Sequence, residues 1–404
     1  MPNAYIIDAV RTPRGRGHRE KGALRDVPAH QLGVQLLHAL QQRAQLDPAV
    51  VEDVLLGCVD QVQEQGGDLA KLVALEAGWP SAVAGVTLNR FCGSALEAVH
   101  QAAAGIMSGM QQLAIAGGIE SMSRVPLGAD GGAFYVGSPA SQLVSHTFLP
   151  QGVSAELIAT ELGLSRAEAD AWAARSHQRA AGATRDGRFR SIIPVRDTSG
   201  QILLETDQII RPESTVESLG QLPLVFREYA EQHGYDKAAL AQRPDLAPIH
   251  YLHTAGNSSG IVDGASALLI AGANAVNQYG LRPRARIRSW AVVGSDPLLM
   301  LTGTVPAAHK ALKLAGMQLP DVDLIEVNEA FASVVLYFLH HTGVDADRVN
   351  VNGGAIAMGH PLGATGGMLL GTLLDELELR GQATGMAVMC IGAGMGIATI
   401  IERI

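Results

Sequence analysis

Short apolar runs alternate along the chain with longer segments rich in alanine, glycine and leucine. The apolar runs have the length of buried strands, and the longer segments have the length of helices. The predicted strands are Ala4–Val10, Val54–Gly57, Leu113–Ala116, Leu324–Val327 and Met386–Met389, and the clearest predicted helices are Ser94–Met107 and Met368–Leu379. Strands that alternate with helices in this way predict an α/β fold.

The order of these elements repeats about 270 residues further along the chain. Acidic residues precede an apolar strand at Asp53 and again at Asp323. A glycine-rich turn opens a small-residue helix at Cys92 and again at His360, and an apolar strand follows each time. The sequence therefore predicts two copies of one α/β unit.

The stretch between the two copies has a different character. It contains charged, turn-rich runs and a polar helix, Ser165–Ala181, in which Ser165 and Glu168 have the spacing of a capping box. We interpret this stretch as an inserted loop domain. The predicted boundaries are 1–120 with 253–281 for the first half, 121–252 for the inserted loop domain and 282–404 for the second half.

The composition favours a compact enzyme and argues against several other classes of protein. Of the 404 residues 47% are apolar and 17% are charged, which excludes intrinsic disorder. The 46 glycines favour close packing of backbones. The formal net charge of -9 offers no broad electrostatic basis for binding DNA or RNA, so no nucleic-acid partner is expected.

The three cysteines, Cys58, Cys92 and Cys390, are far apart and form no Cys-x-x-Cys pair. This argues against a disulfide framework and a zinc site, so we expect no bound metal and a reducing cytoplasmic location. The amino terminus lacks the pattern of a secretory signal. The most apolar stretch, Met386–Ile401, is interrupted by glycines and shorter than the ~20 residues of a membrane span. We interpret it as a pair of buried strands and expect no membrane association.

The first candidate for chemistry is Cys92, which lies between an extended segment and the helix Ser94–Met107. The free N–H groups and the dipole at the start of a helix stabilise a thiolate and predict a lowered thiol pKa. A nucleophile is one interpretation, and a buried structural cysteine, the commonest fate of a free thiol, is the other. For Cys58, inside a predicted strand, the structural interpretation is favoured.

His360 is the second candidate, because it precedes Pro361, a residue suited to the first position of a helix. We expect His360 to cap the helix that corresponds to the Cys92 helix. Two such helices with converging amino ends would pair a thiol with an imidazole, which activates a cysteine for covalent catalysis. The glycine spacing of Gly354–Gly359 is similar to a P-loop, but the following His360-Pro361 replaces the required Lys-Ser/Thr and excludes a nucleotide site.

Two further polar positions follow predicted strands. Cys390 is followed by alternating glycines from Gly392 onward, too close to the end of the chain for a dinucleotide fold, so they favour an oxyanion hole. Asn328 follows the strand Leu324–Val327, at the end where α/β proteins gather ligands. A helix cap is the alternative interpretation of Asn328.

These segments together resemble the thiolase family over essentially the whole chain, and their order and spacing carry the resemblance. The matching motifs are Arg11-Thr12-Pro13, Cys92-Gly93-Ser94, Gly117 to Ser123, Thr254 to Gly260, Asn328-Glu329-Ala330-Phe331, Gly359-His360-Pro361 and Cys390-x-Gly392. The resemblance implies the thiolase fold, in which two βαβαβαββ units with central buried helices carry an inserted loop domain that binds CoA and substrate. It also implies acyl-CoA acyltransferase activity.

The resemblance implies a role for each candidate residue. Cys92 attacks the 3-keto carbon of a 3-ketoacyl-CoA, and His360 deprotonates Cys92. Cys390 is the general acid/base when free CoA releases the acyl group. His360 and a water bound to Asn328 hold the thioester oxygen, and the backbone N–H groups of Cys92 and Gly392 hold the oxygen of the acyl-enzyme.

For CoA, the resemblance aligns Ser259 with a contact to the pantetheine arm, and Arg211 and Ser218 with residues near the adenine nucleotide. A solvated surface arginine is the alternative for Arg211. CoA is a substrate in this family, so no tightly bound cofactor is expected, and homodimers and homotetramers are usual. The basic stretch from Arg11 to Lys21 is interpreted as a solvated loop, with a phosphate site as the alternative.

The chain departs from the short-chain members of the family at three places. Gln151 lies in Pro-Gln-Gly where acetoacetyl-CoA enzymes usually carry His-Met-Gly, Pro223–His253 is longer than its counterpart, and Ala393 replaces a common glycine. These departures indicate a degradative 3-ketoacyl-CoA thiolase that accepts a longer, bulkier or ring-derived acyl group.

Three alternatives remain open. One is a short-chain acetyl-CoA C-acetyltransferase. Another is a condensing or decarboxylating enzyme of the same fold, against which the second thiol, Cys390, counts. The third is a non-catalytic acyl-CoA-binding paralogue, which would have no reason to retain two thiols and His360.

Overall fold

The computed structural model describes residues 3–134, 138–144 and 148–404. The strands are β1 (Ala4–Arg11), β2 (Gly15–Arg16), β3 (Asp53–Gly57), β4 (Ala84–Leu88), β5 (Leu113–Ser121), β6 (Val195–Arg196), β7 (Ile202–Leu204), β8 (Val262–Gly272), β9 (Ala285–Gly294), β10 (Leu324–Val327), β11 (Thr384–Ile391) and β12 (Met395–Arg403). The helices are α1 (Ala29–Ala44), α2 (Leu69–Glu76), α3 (Ser94–Ser108), α4 (Gln151–Glu161), α5 (Arg166–Arg185), α6 (Val216–Gly220), α7 (Phe226–His233), α8 (Tyr235–Gln242), α9 (Ala273–Gln278), α10 (Thr304–Ala315), α11 (Ala332–Thr342), α12 (Ala355–Met358) and α13 (Thr365–Arg380). The predicted α/β class is confirmed.

Ten strands form one mixed sheet in the order β10-β11-β12-β9-β1-β8-β5-β3-β4, with β2 paired to β8. Each strand predicted from the sequence lies within an observed strand, and the predicted pair in Met386–Ile401 is the antiparallel pair β11–β12. Both strands of that pair are buried along most of their length, which explains the nearly continuous apolar run.

The sheet confirms the predicted duplication. The order β3-β5-β8-β1 in the first half corresponds to β10-β11-β12-β9 in the second, with one parallel and two antiparallel pairings in each. Even β4 has a counterpart, because Val349 makes a parallel bridge to Ile325 on the outer side of β10. The halves join where β1 pairs with β9, at Ile6 and Ala285.

Helices α3 and α13 occupy equivalent positions in the two halves and pack against each other in the interior. Every residue of α13 from Thr365 to Leu377 is buried. A Cβ on Gly366 would lie 2.7 Å from the backbone nitrogen of Leu96 in α3, so only glycine permits this approach. The central buried helices implied by the family resemblance are present.

The start of α13 differs from the prediction. The helix begins at Thr365, after a turn at residues 362–364, so His360 does not cap it. Within this turn the Gly363 N–H donates to the buried Glu120 carboxylate, 2.8 Å away. His360 therefore lies in the segment before the helix.

The segment between β5 and β8 contains α4 to α8 and the β6–β7 hairpin. The predicted polar helix is α5, and its capping box is present in both directions between Ser165 and Glu168. Among the described helices, none has the length and apolar character needed to cross a bilayer.

The expectation of a solvated basic loop was wrong for Arg11 and Arg14. Both side chains are buried, and the Asp207 carboxylate accepts two hydrogen bonds from the Arg11 guanidinium, at 2.8 and 2.9 Å. Arg14 Nη1 lies 3.6 Å from the same carboxylate. The reason is tertiary, since the partner carboxylate comes from the inserted segment, almost 200 residues away.

Candidate active site

A cavity of about 720 Å³ opens between the two halves and the inserted segment. Cys92, Ser259, His360 and Gly392 all line it, although they come from four distant parts of the chain. Most of the remaining lining is aromatic or aliphatic. The cavity therefore combines a few polar groups with a largely apolar wall, as small-molecule sites usually do.

Cys92 lies in a tight turn between β4 and α3, as predicted. Phe91, immediately before it, has a φ of 46°, a left-handed conformation that non-glycine residues rarely adopt. The Ser94 side chain holds this turn, because its hydroxyl donates to the Phe91 carbonyl at 2.6 Å and accepts from the Arg90 N–H at 2.9 Å. Backbone strain of this kind clusters at functional sites.

The predicted lowering of the Cys92 pKa was wrong. Burial raises the pKa of this thiol to about 11, although the backbone N–H groups of Gly392 and Cys92 and the side chain of Gln151 act in the opposite direction. The cost of desolvating a thiolate in this interior exceeds the stabilisation by those donors. Cys92 is thus protonated at neutral pH and needs a proton acceptor.

His360 supplies a nitrogen that can accept that proton. Its side chain is buried, its Nδ1 lies 2.6 Å from the Thr365 hydroxyl, and its Nε2 has no hydrogen-bond partner among the described residues. Burial, followed by the charge of Arg14, lowers the His360 pKa to about 3. The imidazole is therefore neutral under physiological conditions.

Cys390 lies near the end of β11 and is buried. Burial raises the pKa of this thiol far above its ordinary value, and the nearby Cys92 adds to the increase. The two thiols are thus electrostatic neighbours. The third cysteine, Cys58, is buried in the core below Glu120, as the structural interpretation predicts.

Asn328 follows β10 and does not cap a helix, since α11 begins at Ala332. Its side chain is buried, and neither its oxygen nor its nitrogen has a partner among the described residues. The next residue, Glu329, is fully bonded to Trp172, Ser176 and other groups. Two adjacent buried polar residues thus differ, and only Asn328 has hydrogen-bonding capacity free for a water or a ligand.

The residues aligned with CoA contacts divide into two groups. Ser259 lines the cavity, and its N–H donates to the Ala330 carbonyl at 2.9 Å. Arg211 and Ser218 are exposed on the inserted segment, apart from the described residues that line the cavity. The Ser218 side chain closes a capping box with Thr215 at the start of α6.

Two positioning residues escaped the sequence analysis. Thr365 contacts His360. The only feature of the sequence that could have indicated this contact is that Thr365 carries a hydroxyl and lies five residues after His360, in the same glycine-rich segment. Glu120 is buried and accepts from the N–H groups of Val59 and Gly363, 2.9 and 2.8 Å away. Burial raises the pKa of Glu120 to about 7. Glu120 lies in the motif Gly117 to Ser123, but the two residues whose N–H groups donate to it are distant in sequence.

Two family models match the chain, the thiolase N-terminal domain over residues 4–233 and the thiolase C-terminal domain over residues 281–403. The chain belongs to the thiolase family. Curated relatives include the 3-ketoacyl-CoA thiolase of Photobacterium profundum, with 42% identity over 413 residues, and that of Erwinia tasmaniensis, with 43% identity over 412 residues. Each alignment covers 100% of this chain and 100% of the relative.

Solved thiolase structures agree with this assignment. The Bacillus anthracis acetyl-CoA acetyltransferase matches with a TM-score of 0.86 and 32% identity, and human mitochondrial 3-ketoacyl-CoA thiolase matches with a TM-score of 0.86 and 35% identity. Both comparisons cover 100% of this chain and 99% of the other. The thiolase fold implied by the sequence motifs is confirmed.

Proposed function

We propose that this protein is a 3-ketoacyl-CoA thiolase, an acyltransferase that uses CoA to cleave a 3-ketoacyl-CoA into acetyl-CoA and a shortened acyl-CoA. The observation that carries the proposal is the convergence of Cys92, His360 and Gly392 on one cavity. The curated relatives named 3-ketoacyl-CoA thiolase, aligned over the full chain, support the same assignment.

In the first half-reaction, the Cys92 sulfur attacks the 3-keto carbon while His360 Nε2 takes the thiol proton. The C2–C3 bond then breaks, its electron pair passes to the acetyl-CoA enolate, and the Cys390 thiol donates a proton to C2. A nearby base is necessary because the buried Cys92 thiol is protonated at neutral pH. Cys92 is left as an acyl thioester.

In the second half-reaction, the Cys390 thiolate takes the proton from the thiol of incoming CoA. The CoA sulfur attacks the acyl carbon, the bond to Cys92 breaks, and the shortened acyl-CoA leaves. The Cys92 sulfur recovers its proton from His360, so every group returns to its starting state. This two-step chemistry predicts ping-pong kinetics.

Two sets of hydrogen-bond donors would stabilise the negative oxygens that form. We propose that His360 and a water on Asn328 hold the enolate oxygen, because the Asn328 side chain lacks a partner among the described residues. The N–H groups of Cys92 and Gly392 would hold the oxygen on the acyl carbon, since both residues line the cavity. Donors fixed in advance of the reaction commonly provide the largest share of catalysis.

The acyl group that we propose is longer or bulkier than acetoacetyl. Phe226 and Tyr229, both in the extended Pro223–His253 segment, line the cavity together with Phe134 and Met300. An aromatic wall of this kind favours an apolar chain or ring over a methyl group. The departures noted in the sequence thus lie where an acyl group would bind.

CoA enters this proposal as a substrate, with Ser259 at the pantetheine arm and Arg211 and Ser218 of the inserted segment toward the nucleotide. No tightly bound cofactor is required, because the protein's own thiols and imidazole supply the chemistry. We further propose that the protein is cytoplasmic and forms a homodimer or a homotetramer. Analytical ultracentrifugation of the purified chain would distinguish the dimer from the tetramer.

The test is a thiolysis assay on the purified protein with free CoA. Acetoacetyl-CoA is compared with 3-ketoacyl-CoAs of medium length, and loss of the enolate absorbance is followed. We expect higher kcat/KM for the longer substrates. A preference for acetoacetyl-CoA would instead identify an acetyl-CoA C-acetyltransferase.

A Cys92→Ser variant separates the enzyme from a non-catalytic acyl-CoA-binding paralogue. We expect the variant to lose thiolysis and the covalent acyl adduct while it still binds CoA in calorimetry. If the wild type binds acyl-CoA but neither cleaves it nor becomes acylated, the protein is a non-catalytic acyl-CoA-binding paralogue and the thiolase proposal is wrong.

A further inference from the structure

Gln151 lines the cavity and has no role in the proposed mechanism. It is the first residue of α4, directly after Pro150, and it lines the same cavity as Cys92 and His360. The sequence singled it out only as a departure that bears on acyl-chain length. Its side chain is a carboxamide, which can donate a hydrogen bond, in a wall that is otherwise mostly apolar.

The start of α4 is held rigidly, which fixes where this carboxamide lies. The Ser154 hydroxyl donates to the Leu298 carbonyl at 2.7 Å, and the buried Glu156 carboxylate accepts from the His253 N–H at 3.0 Å. A Cβ on Gly152 would lie 2.1 Å from the Phe226 ring, so α4 packs directly against α7 at this point. Hydrogen-bond donors held in this way are preorganised.

The Gln151 amide nitrogen points into the region of the nucleophile. Nε2 lies 3.2 Å from the position that a Cβ on Gly392 would occupy, and Gly392 and Cys92 line the same cavity wall as Gln151. In the part of the chain that the structure describes, no other side chain and no backbone group hydrogen-bonds to this carboxamide, so its N–H groups are available to the nucleophile. We propose that the Gln151 carboxamide donates a hydrogen bond to the Cys92 sulfur and is a further catalytic residue of this site.

Such a bond acts on the step that is hardest for this cysteine. Burial raises the pKa of Cys92 to about 11, and the Gly392 N–H, the Cys92 N–H and the Gln151 amide each oppose that increase. A donor to the sulfur stabilises the thiolate more than the thiol. The carboxamide therefore favours thiolate formation both when Cys92 attacks and when it leaves the acyl carbon.

The inference rests on the proposed function, but it is tested without thiolysis. The rate at which iodoacetamide alkylates Cys92 is measured between about pH 7 and about pH 10, with the label located by peptide mass mapping. Gln151→Met removes the donor at similar size, and Gln151→Glu keeps the shape but replaces the donor with an acceptor. We expect both to slow alkylation about tenfold, which corresponds to an increase of about one unit in the thiol pKa.

The other groups that act on this thiol are unchanged in both variants. They are His360 and Gly392 in the cavity wall, Cys390 on β11 and Glu120 on β5. Gln278→Met, the same substitution at an exposed position in α9, is the matched control and should alkylate at the wild-type rate.

The outcomes are distinct. Slower alkylation in both variants supports the hydrogen bond, and wild-type rates in Gln151→Met overturn it. Slowing in Gln151→Met with a wild-type rate in Gln151→Glu also overturns it, because only packing would then have changed. If one variant unfolds, the alkylation rate of the other decides. If the wild type shows no thiolysis, the proposed function is refuted, but the alkylation rates still test the hydrogen bond between Gln151 and Cys92.

Discussion

His360 Nδ1 and the Thr365 hydroxyl are 2.6 Å apart, and this contact determines which imidazole nitrogen faces the cavity as a base. The Thr365 hydroxyl donates its own hydrogen to the Pro361 carbonyl, 2.8 Å away. It therefore accepts from Nδ1–H, which leaves the lone pair on Nε2. That nitrogen is the one without a partner among the described residues.

Thr365→Val should slow acylation of Cys92 by about 10- to 100-fold, because valine has the shape of threonine but cannot accept from Nδ1, so the imidazole loses its tautomer preference. Single-turnover formation of the acyl-enzyme, followed by mass spectrometry, measures this rate. Thr365→Ser retains the hydroxyl and is the matched control. Equal rates in Thr365→Val and the wild type would contradict the role of Thr365.

Asn328→Ala should reduce kcat by about 10²- to 10³-fold with little change in thermal stability. The side chain has no protein partner among the described residues, so its removal breaks no intramolecular hydrogen bond. Asn350 is the comparison, because its buried amide bonds to both Val327 and Glu329.

Asn350→Ala should lower the free energy of unfolding by about 1–3 kcal/mol, since it leaves buried groups unpaired. Thermal unfolding and steady-state thiolysis of both variants provide the comparison. An Asn328→Ala protein that is active but as unstable as Asn350→Ala would place Asn328 among the structural residues.

Glu120 should make stability fall as the pH rises. Burial raises its folded pKa to about 7, above the ordinary value of 4.5, so the folded state holds the proton more tightly than the unfolded state. Its contribution is complete below about pH 4.5 and is lost as the pH rises through about 7.

The measurement compares the wild type with Glu120→Gln by chemical denaturation across this pH window. Gln cannot ionise, so the stability of the wild type should decline relative to the variant by about 3 kcal/mol at most. Burial also raises the pKa values of Asp60 and Asp263 to about 6. Both residues titrate in the wild type and in the variant, so the difference between the two proteins reports Glu120 alone. Parallel pH profiles of the two proteins would show that Glu120 titrates normally.

Asp207→Asn should lower the free energy of unfolding by about 3–5 kcal/mol, because it removes the carboxylate that pairs with the buried guanidinium groups of Arg11 and Arg14. Urea denaturation measures the loss. Glu205→Gln removes an exposed carboxylate from the same segment and should change stability by less than about 0.5 kcal/mol. A loss in Asp207→Asn as small as that in Glu205→Gln would show that the buried ion pair contributes little to stability.

The repeated order of strands and helices was readable from the sequence because each half uses the same local patterns. The apolar run of β11 and β12 and the capping box of Ser165 and Glu168 depend on neighbours close in the chain, and both predictions are confirmed. Local patterns of this kind identify elements and place candidate residues such as Cys92 at an element boundary.

What depends on distant partners could not be predicted in this way. The turn before α13 contains a hydrogen bond between Gly363 and Glu120, and the buried Arg11 is paired with Asp207. Neither partner is near in sequence, and helix and charge patterns contain no information about them.

The sequence by itself determined the family, the duplicated α/β architecture and the candidate residues Cys92, His360 and Cys390, because motif order and periodicity are properties of the chain. Only the tertiary structure decided their chemical state. Burial raises the pKa of Cys92 and lowers that of His360, since both groups lie in an interior assembled from both halves. Solvent exclusion and the approach of distant donors arise only when the chain is folded.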